Sequence, residues 1–207
     1  MIDLALSIPL LTYATFMGAA FLLYLTPGAD MMFTIASGMR GGAASGVAAA
    51  GGIGLGVLGH VIIAAAGLAV LLLTYPIAYD ALRYAGAAYL LWLAWHSWND
   101  TAPPAQRAGR RDIGRAFRRG FLTNILNPKV GLFALAFLPQ FADPAIGPVW
   151  QQILILGALL TMGQLIVYSA IGSFAGFLAT KTKRASGWMG KLSAIVFGGL
   201  AVRLAWN

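Results

Sequence analysis

Apolar positions in this chain come in long runs, and six of those runs are long enough to predict membrane-spanning helices. A bilayer core ~30 Å thick needs about 20 apolar residues per helix. The runs cover residues 9–37, 45–73, 77–98, 120–141, 150–179 and 189–206, the last being the shortest. The first is longer than one span needs and is interrupted at Pro27-Gly28; the fourth is interrupted at Pro128. A cleavable leader needs a basic start, and the first basic residue here is Arg40, so the apolar stretch from Leu4 is expected to remain as a helix.

Two charges fall inside these runs, and each adjoins a proline. Asp30 ends Thr26-Pro27-Gly28-Ala29-Asp30, and Lys129 ends Asn127-Pro128-Lys129. A charge at the centre of a membrane helix costs about 2.5–3.5 kcal/mol on insertion scales, so such residues mark sites or pathways. Proline removes one helical hydrogen bond and frees backbone groups, which membrane interiors tolerate only where protein or a polar cavity covers them. A broken helix in each half of the chain is the pattern of a secondary transporter's midplane site. Three spans per half make the second half inverted, so the expected fold is all-α, six transmembrane helices in a 3+3 inverted repeat with broken first and fourth helices. The pseudo-repeats are residues 1–106 and 107–207 of a single domain. Asp30 precedes Arg40 by ten residues and Lys129 follows Arg119 by ten. At about 1.5 Å per residue both charges lie roughly 15 Å from one face, near the bilayer centre.

Composition agrees with this class. Of 207 residues, 59% are hydrophobic and 10% charged, with 14 Lys and Arg against 6 Asp and no Glu. Mean hydropathy is +0.78. Soluble domains carry about 25% charged residues. The net charge of +8 gathers in connecting segments, which argues for orientation in a membrane rather than nucleic-acid binding. Arg107, Arg110, Arg111, Arg115, Arg118 and Arg119 join spans three and four; Lys181, Lys183 and Arg184 join spans five and six. Basic loops stay cytoplasmic, so both termini are expected in the periplasm. Trp92, Trp95 and Trp98 then belong to the inner interface, and residues 99–115 form a basic linker near anionic head groups. With no Cys and two distant His, thiol chemistry and metal sites lack ligands, and no hydrolase motif is present. Neither an enzyme nor a cofactor is expected.

Asp30 and Lys129 read either as a structural ion pair or as a site. Their proline neighbours, matched depth and flanking Gly28, Ala29 and Gly131 favour a site, because a stretch built only for stability would pack larger residues there. A zwitterionic amino acid fits such a pair. Its carboxylate meets Lys129 and backbone N–H groups at a half-helix start; its ammonium meets Asp30 and carbonyls left free before Pro27. Without substrate the two side chains can neutralise each other. Thr123, Asn124, Asn127 and Gln164 lie at similar depth, and Gln164 reads equally as a substrate ligand or a helix link. The glycines from Gly51 to Gly59 include the small-xxx-small pair Gly52 and Gly56, which reads as close helix packing. His60 reads as a packed polar residue in preference to a proton relay.

The blocks Thr26-Pro27-Gly28-Ala29-Asp30-Met31-Met32-Phe33, Gly120 to Lys129 and Phe137-Leu138-Pro139-Gln140-Phe141 resemble the LysE/RhtB amino-acid exporter superfamily over the full length. That resemblance implies a bacterial inner-membrane exporter driven by the proton gradient. The family often has Pro where this chain has Ala29. The block from Gly120 to Phe141 is more similar to homoserine/threonine and leucine exporters than to basic amino-acid exporters.

The expectation is therefore a proton-coupled exporter of neutral amino acids, working by alternating access. The substrate would be bound by Asp30, Lys129, Pro27, Gly28, Asn124, Asn127, Pro128 and Gln164, and Asp30 would also carry the proton. Small residues allow a homodimer. The alternatives are a passive channel or facilitator for small polar solutes, and a structural membrane protein with a buried ion pair.

Overall fold

A computed structural model describes residues 2–26, 28–66 and 110–181, with isolated positions between 84 and 98 and between 191 and 202. Every regular element among the described residues is helical. Spans three and six, Pro27, His96 and most of the linker fall largely or wholly outside them.

The chain opens with a short helix, α1 (Ile2–Ser7), and the longer α2 (Leu10–Leu25). The residue before a proline is driven out of the helical region, and Thr26 duly adopts φ −70°, ψ 116°. Its N–H and its hydroxyl both donate to the Leu22 carbonyl, at 3.0 and 2.6 Å, which closes the helix end. After extended Gly28, α3 (Ala29–Ala65) begins.

At 37 residues α3 would run about 55 Å if straight, well beyond a bilayer core. Gly42 divides it, with φ 75° and ψ −177°, a backbone that L side chains rarely adopt. A first arm of residues 29–41 precedes it and a second arm of 43–65 follows. Gly38 and Gly46 press against the same residue, Gly172. Residues eight apart in a straight helix are about 12 Å apart, so the chain doubles back at Gly42. The two arms of α3 thus supply the end of the first sequence run and the body of the second.

The fourth run starts earlier than its apolar composition suggests. Helix α4 (Arg110–Ile125) takes in the basic end of the expected linker. Ala116 and Gly120 face inward while Arg115 and Arg118 face out, and Arg115 pairs with Asp112 at 3.7 Å. That is an amphipathic pattern at helical spacing, so residues 110–115 are helix rather than loop. Asn127 is extended before Pro128, as Thr26 is before Pro27. Helix α5 (Pro128–Leu132) follows, then a widened turn over Phe133–Phe137 and a tight one over Leu138–Phe141. The irregular geometry comes just where Pro139 removes another donor. The two parts of this run meet at 63°. Helix α6 (Val149–Lys181) matches the fifth run closely.

The second arm of α3 is central, packed against both α4 and α6. Phe16, Ile53, Leu138, Leu156 and Leu160 are fully buried around it. Large apolar side chains also cover the outside, among them Leu22, Ile62, Met162, Ile166 and Phe174, whereas Asp30, His60, Asn124 and Gln164 are inside. Apolar surface over a polar centre is what a bilayer solvent selects. By length and composition, α3 and α6 can cross a membrane, and the bent pair from Asp112 to Phe141 makes a third span if counted as one.

Candidate functional site

Both proline breaks arrive at one place. The Asp30 side chain, in the first turn of α3, is 4% exposed, and its Oδ2 accepts from Asn124 Nδ2 at 2.8 Å and Asn127 Nδ2 at 3.1 Å. Asn127 is also the N-cap of α5, where its Oδ1 accepts from the Lys129 backbone N–H at 3.2 Å. The Lys129 ammonium reaches back to the first break and donates to the Thr26 carbonyl at 3.2 Å. A methyl group on Gly28 would lie 3.7 Å from that ammonium, so the second break rests on the first. The sequence reading has the two charges neutralise each other. Here two amides hold the carboxylate and a backbone carbonyl takes the ammonium, with the Lys129 charge still acting on Asp30.

Pro128 explains a further contact. In a continuous helix the Asn124 carbonyl would accept from the N–H of residue 128, and proline has none. That carbonyl accepts from the Asn127 N–H at 2.8 Å and meets His60 Nε2 at 3.1 Å. A carbonyl only accepts, so this contact is a hydrogen bond in the His60 tautomer that has its proton on Nε2. The Asn124 side chain is seated against the second arm of α3, where a Cβ at Gly56 would come within 2.6 Å of its Oδ1.

Asp30, Asn124 and Asn127 line one cavity together with Tyr24, Thr26, Gly28, Lys129, Gln164 and Tyr168. Its apolar wall is Leu23, Val57, Val130 and Leu160. The Tyr24 hydroxyl donates to the Leu160 carbonyl at 2.6 Å and ties α2 to α6. The cavity measures about 20 Å3 on the scale where a water needs about 10–15 Å3. This conformation therefore has room for a water, and an amino acid enters only if the helices separate.

Four buried polar atoms of the lining residues lack a hydrogen-bond partner: Asp30 Oδ1, Asn124 Oδ1, and both Oε1 and Nε2 of Gln164. Leaving such an atom unsatisfied costs about 1–3 kcal/mol, so a cluster of them around one cavity favours a polar occupant, a water or a ligand. Acceptors dominate the set, with Lys129 as the cation beside them.

Of the residues singled out in the sequence, Gly28, Asp30, Asn124, Asn127, Lys129 and Gln164 come together on the cavity. Pro27 lies outside the described residues, and Pro128 contributes through its backbone. Thr123 does not line the cavity; its hydroxyl bonds the Arg119 carbonyl of its own helix at 2.8 Å. Tyr24, Tyr168 and the Thr26 carbonyl were missed. Two phenols in mid-span were a usable signal, whereas a backbone carbonyl has none. No three metal-ligating side chains gather among the described residues.

A membrane-type helical protein with this cavity can be placed by comparison. The chain belongs to the LysE type translocator family, whose model matches residues 20–207. It is 31% identical over 202 residues to a protein named leucine efflux protein from Enterobacter sp. (strain 638), covering 94% of this chain and 95% of that one. It is 32% identical over 167 residues to a homoserine/homoserine lactone efflux protein from Salmonella typhimurium, covering 78% and 79%. An uncharacterized membrane protein from Vibrio cholerae is 28% identical over 190 residues, covering 87% and 90%. No solved structure matches.

Proposed function

We propose that this chain exports neutral amino acids across the bacterial inner membrane in exchange for protons, by alternating access around the cavity between the two proline breaks. The observation that carries this reading is the cluster of unpartnered Asp30, Asn124 and Gln164 atoms beside a lysine. The substrate ammonium takes Asp30 Oδ1 and Asn124 Oδ1, and the carboxylate takes the Lys129 ammonium. Gln164 supplies a donor and an acceptor to either end. Leu23, Val57, Val130 and Leu160 receive an uncharged side chain, and Asp30 is the only carboxylate among the lining residues, which disfavours a second substrate cation. The names of the leucine and homoserine efflux relatives support this class.

Exchange follows from competition for one carboxylate. Asp30 Oδ1 can hold a proton or the substrate ammonium, so loading one from either side expels the other. Lys129 links binding to movement. When its ammonium turns from the Thr26 carbonyl to the substrate carboxylate, one of the ties between the two breaks is released, which favours their separation. A conformational change needs this kind of differential contact in its two states. The six spans in a 3+3 inverted repeat, the single domain over 1–207, both termini in the periplasm, and a homodimer built on small-residue surfaces belong to the same proposal.

The test is purified protein in liposomes loaded with labelled leucine and homoserine, with and without an imposed pH gradient. Gradient-driven efflux with counter-movement of protons is expected. Efflux indifferent to the gradient would indicate a facilitator, and no flux for any neutral amino acid would contradict the reading.

A further inference from the structure

We propose that His60 is the positioning residue of the ammonium subsite: from the second arm of α3 it holds the α4 elbow so that Asn124 and Asp30 stay aimed at the cavity. This rests on the amino-acid site proposed above and adds a residue to it. His60 does not line the cavity, yet its side chain is 3% exposed and its Nε2 lies 3.1 Å from the Asn124 carbonyl oxygen. That oxygen is available because Pro128 has no N–H to offer it, and the Asn127 N–H takes only one of its two lone pairs. Gly56 stands one helical turn before His60, on the same face of the arm. The missing side chain at Gly56 admits the Asn124 amide, and the imidazole four residues on takes the Asn124 carbonyl. Side chain and backbone of one asparagine are thus gripped by a single helix face. The same asparagine gives its Nδ2 proton to Asp30 Oδ2, which leaves Oδ1 for a ligand. Without the His60 N–H, the carbonyl keeps only its local donor and the elbow is free to rotate Asn124 off Asp30. The consequence falls on recognition of the ammonium, before any step of turnover.

The experiment measures leucine export kinetics in proteoliposomes for wild type, His60→Leu and His60→Gln, with thermal unfolding of each purified protein. His60→Leu is expected to raise KM about tenfold with Vmax within about twofold, and His60→Gln, which keeps an N–H donor, to recover most of that loss. In an Asn124→Ala background the His60→Leu effect on KM should vanish, since the pair acts as one unit. An unchanged KM in His60→Leu overturns the inference. So does a fall in Vmax alone, a failure of glutamine to rescue, or additivity with Asn124→Ala. A wild-type protein that exports no amino acid overturns the site reading beneath it, an outcome distinct from an active wild type with a silent His60.

Discussion

Asp30 and Asn124 are separated by 94 positions in sequence and joined by a 2.8 Å hydrogen bond in the fold, amide donor to carboxylate acceptor. Each sits beside a proline break, one in each half of the chain. Their contact converts two local interruptions of helix into one polar centre. Gly56 is the backing plate for that contact, because any Cβ there would collide with the Asn124 side chain.

Gly56→Ala is accordingly expected to impair export strongly. Overpacking at such a position costs about 1–3 kcal/mol, and the strain falls on Asn124. Gly18→Ala is the control, since a Cβ there meets nothing within 4 Å. Export assays on both variants, normalised to folded protein, check this; equal activity would place Asn124 outside the site.

Gln164 separates function from stability. Both polar atoms of its buried amide lack partners, so Gln164→Met removes a penalty of about 1–3 kcal/mol at similar volume. The variant should unfold at a higher temperature than wild type while exporting more slowly. A variant that is less stable would show that Gln164 is a helix link.

Pro128→Leu restores an N–H to the α4–α5 elbow, where the Asn124 carbonyl would accept it in place of His60 and the Asn127 N–H. Straightening the elbow is expected to lower export about tenfold while folded yield stays within about twofold. Transport at the wild-type rate would show that the bend is incidental.

Much of this centre was legible in the sequence because proline acts locally. Pro27 and Pro128 force extended conformations on Thr26 and Asn127, and charged or amide residues in apolar runs are rare enough to stand out. Backbone partners left no such trace. Nothing in the residue types indicates that Lys129 binds the Thr26 carbonyl or that His60 binds the Asn124 carbonyl, since every position has a carbonyl. The turn at Gly42 falls in the gap expected between the first two runs, residues 38–44, but composition cannot show which of the glycines there takes positive φ. The start of α4 at Arg110 was obscured by reading its arginines as a charge run, although Ile113, Ala116 and Gly120 recur among them at helical spacing. Gln164 was undecided for a physical reason: the same amide serves a ligand or a neighbouring helix, and only its surroundings tell which.

Orientation has its own test. With six arginines from Arg107 to Arg119, that connection is expected in the cytoplasm and both termini on the far side. A reporter that fluoresces only in the cytoplasm should stay dark when fused after Asn207. Bright fusions would invert the topology and dissolve the inverted repeat.

The central claim is that Asp30 and Lys129 hold the two ends of a zwitterion rather than only each other. Asp30→Asn is a clean probe, because the new amide oxygen can still accept from Asn124 and Asn127 while the charge is lost. Alone it removes the negative charge that acts on Lys129, whose ammonium keeps the Thr26 carbonyl, and so leaves the site with an uncompensated positive charge. Joining it to Lys129→Met removes that imbalance. The decisive measurement is export by the double variant Asp30→Asn with Lys129→Met in proteoliposomes under a pH gradient, beside its thermal stability. Stability recovered toward wild type with export still absent is the predicted result; recovery of stability and export together would contradict the account.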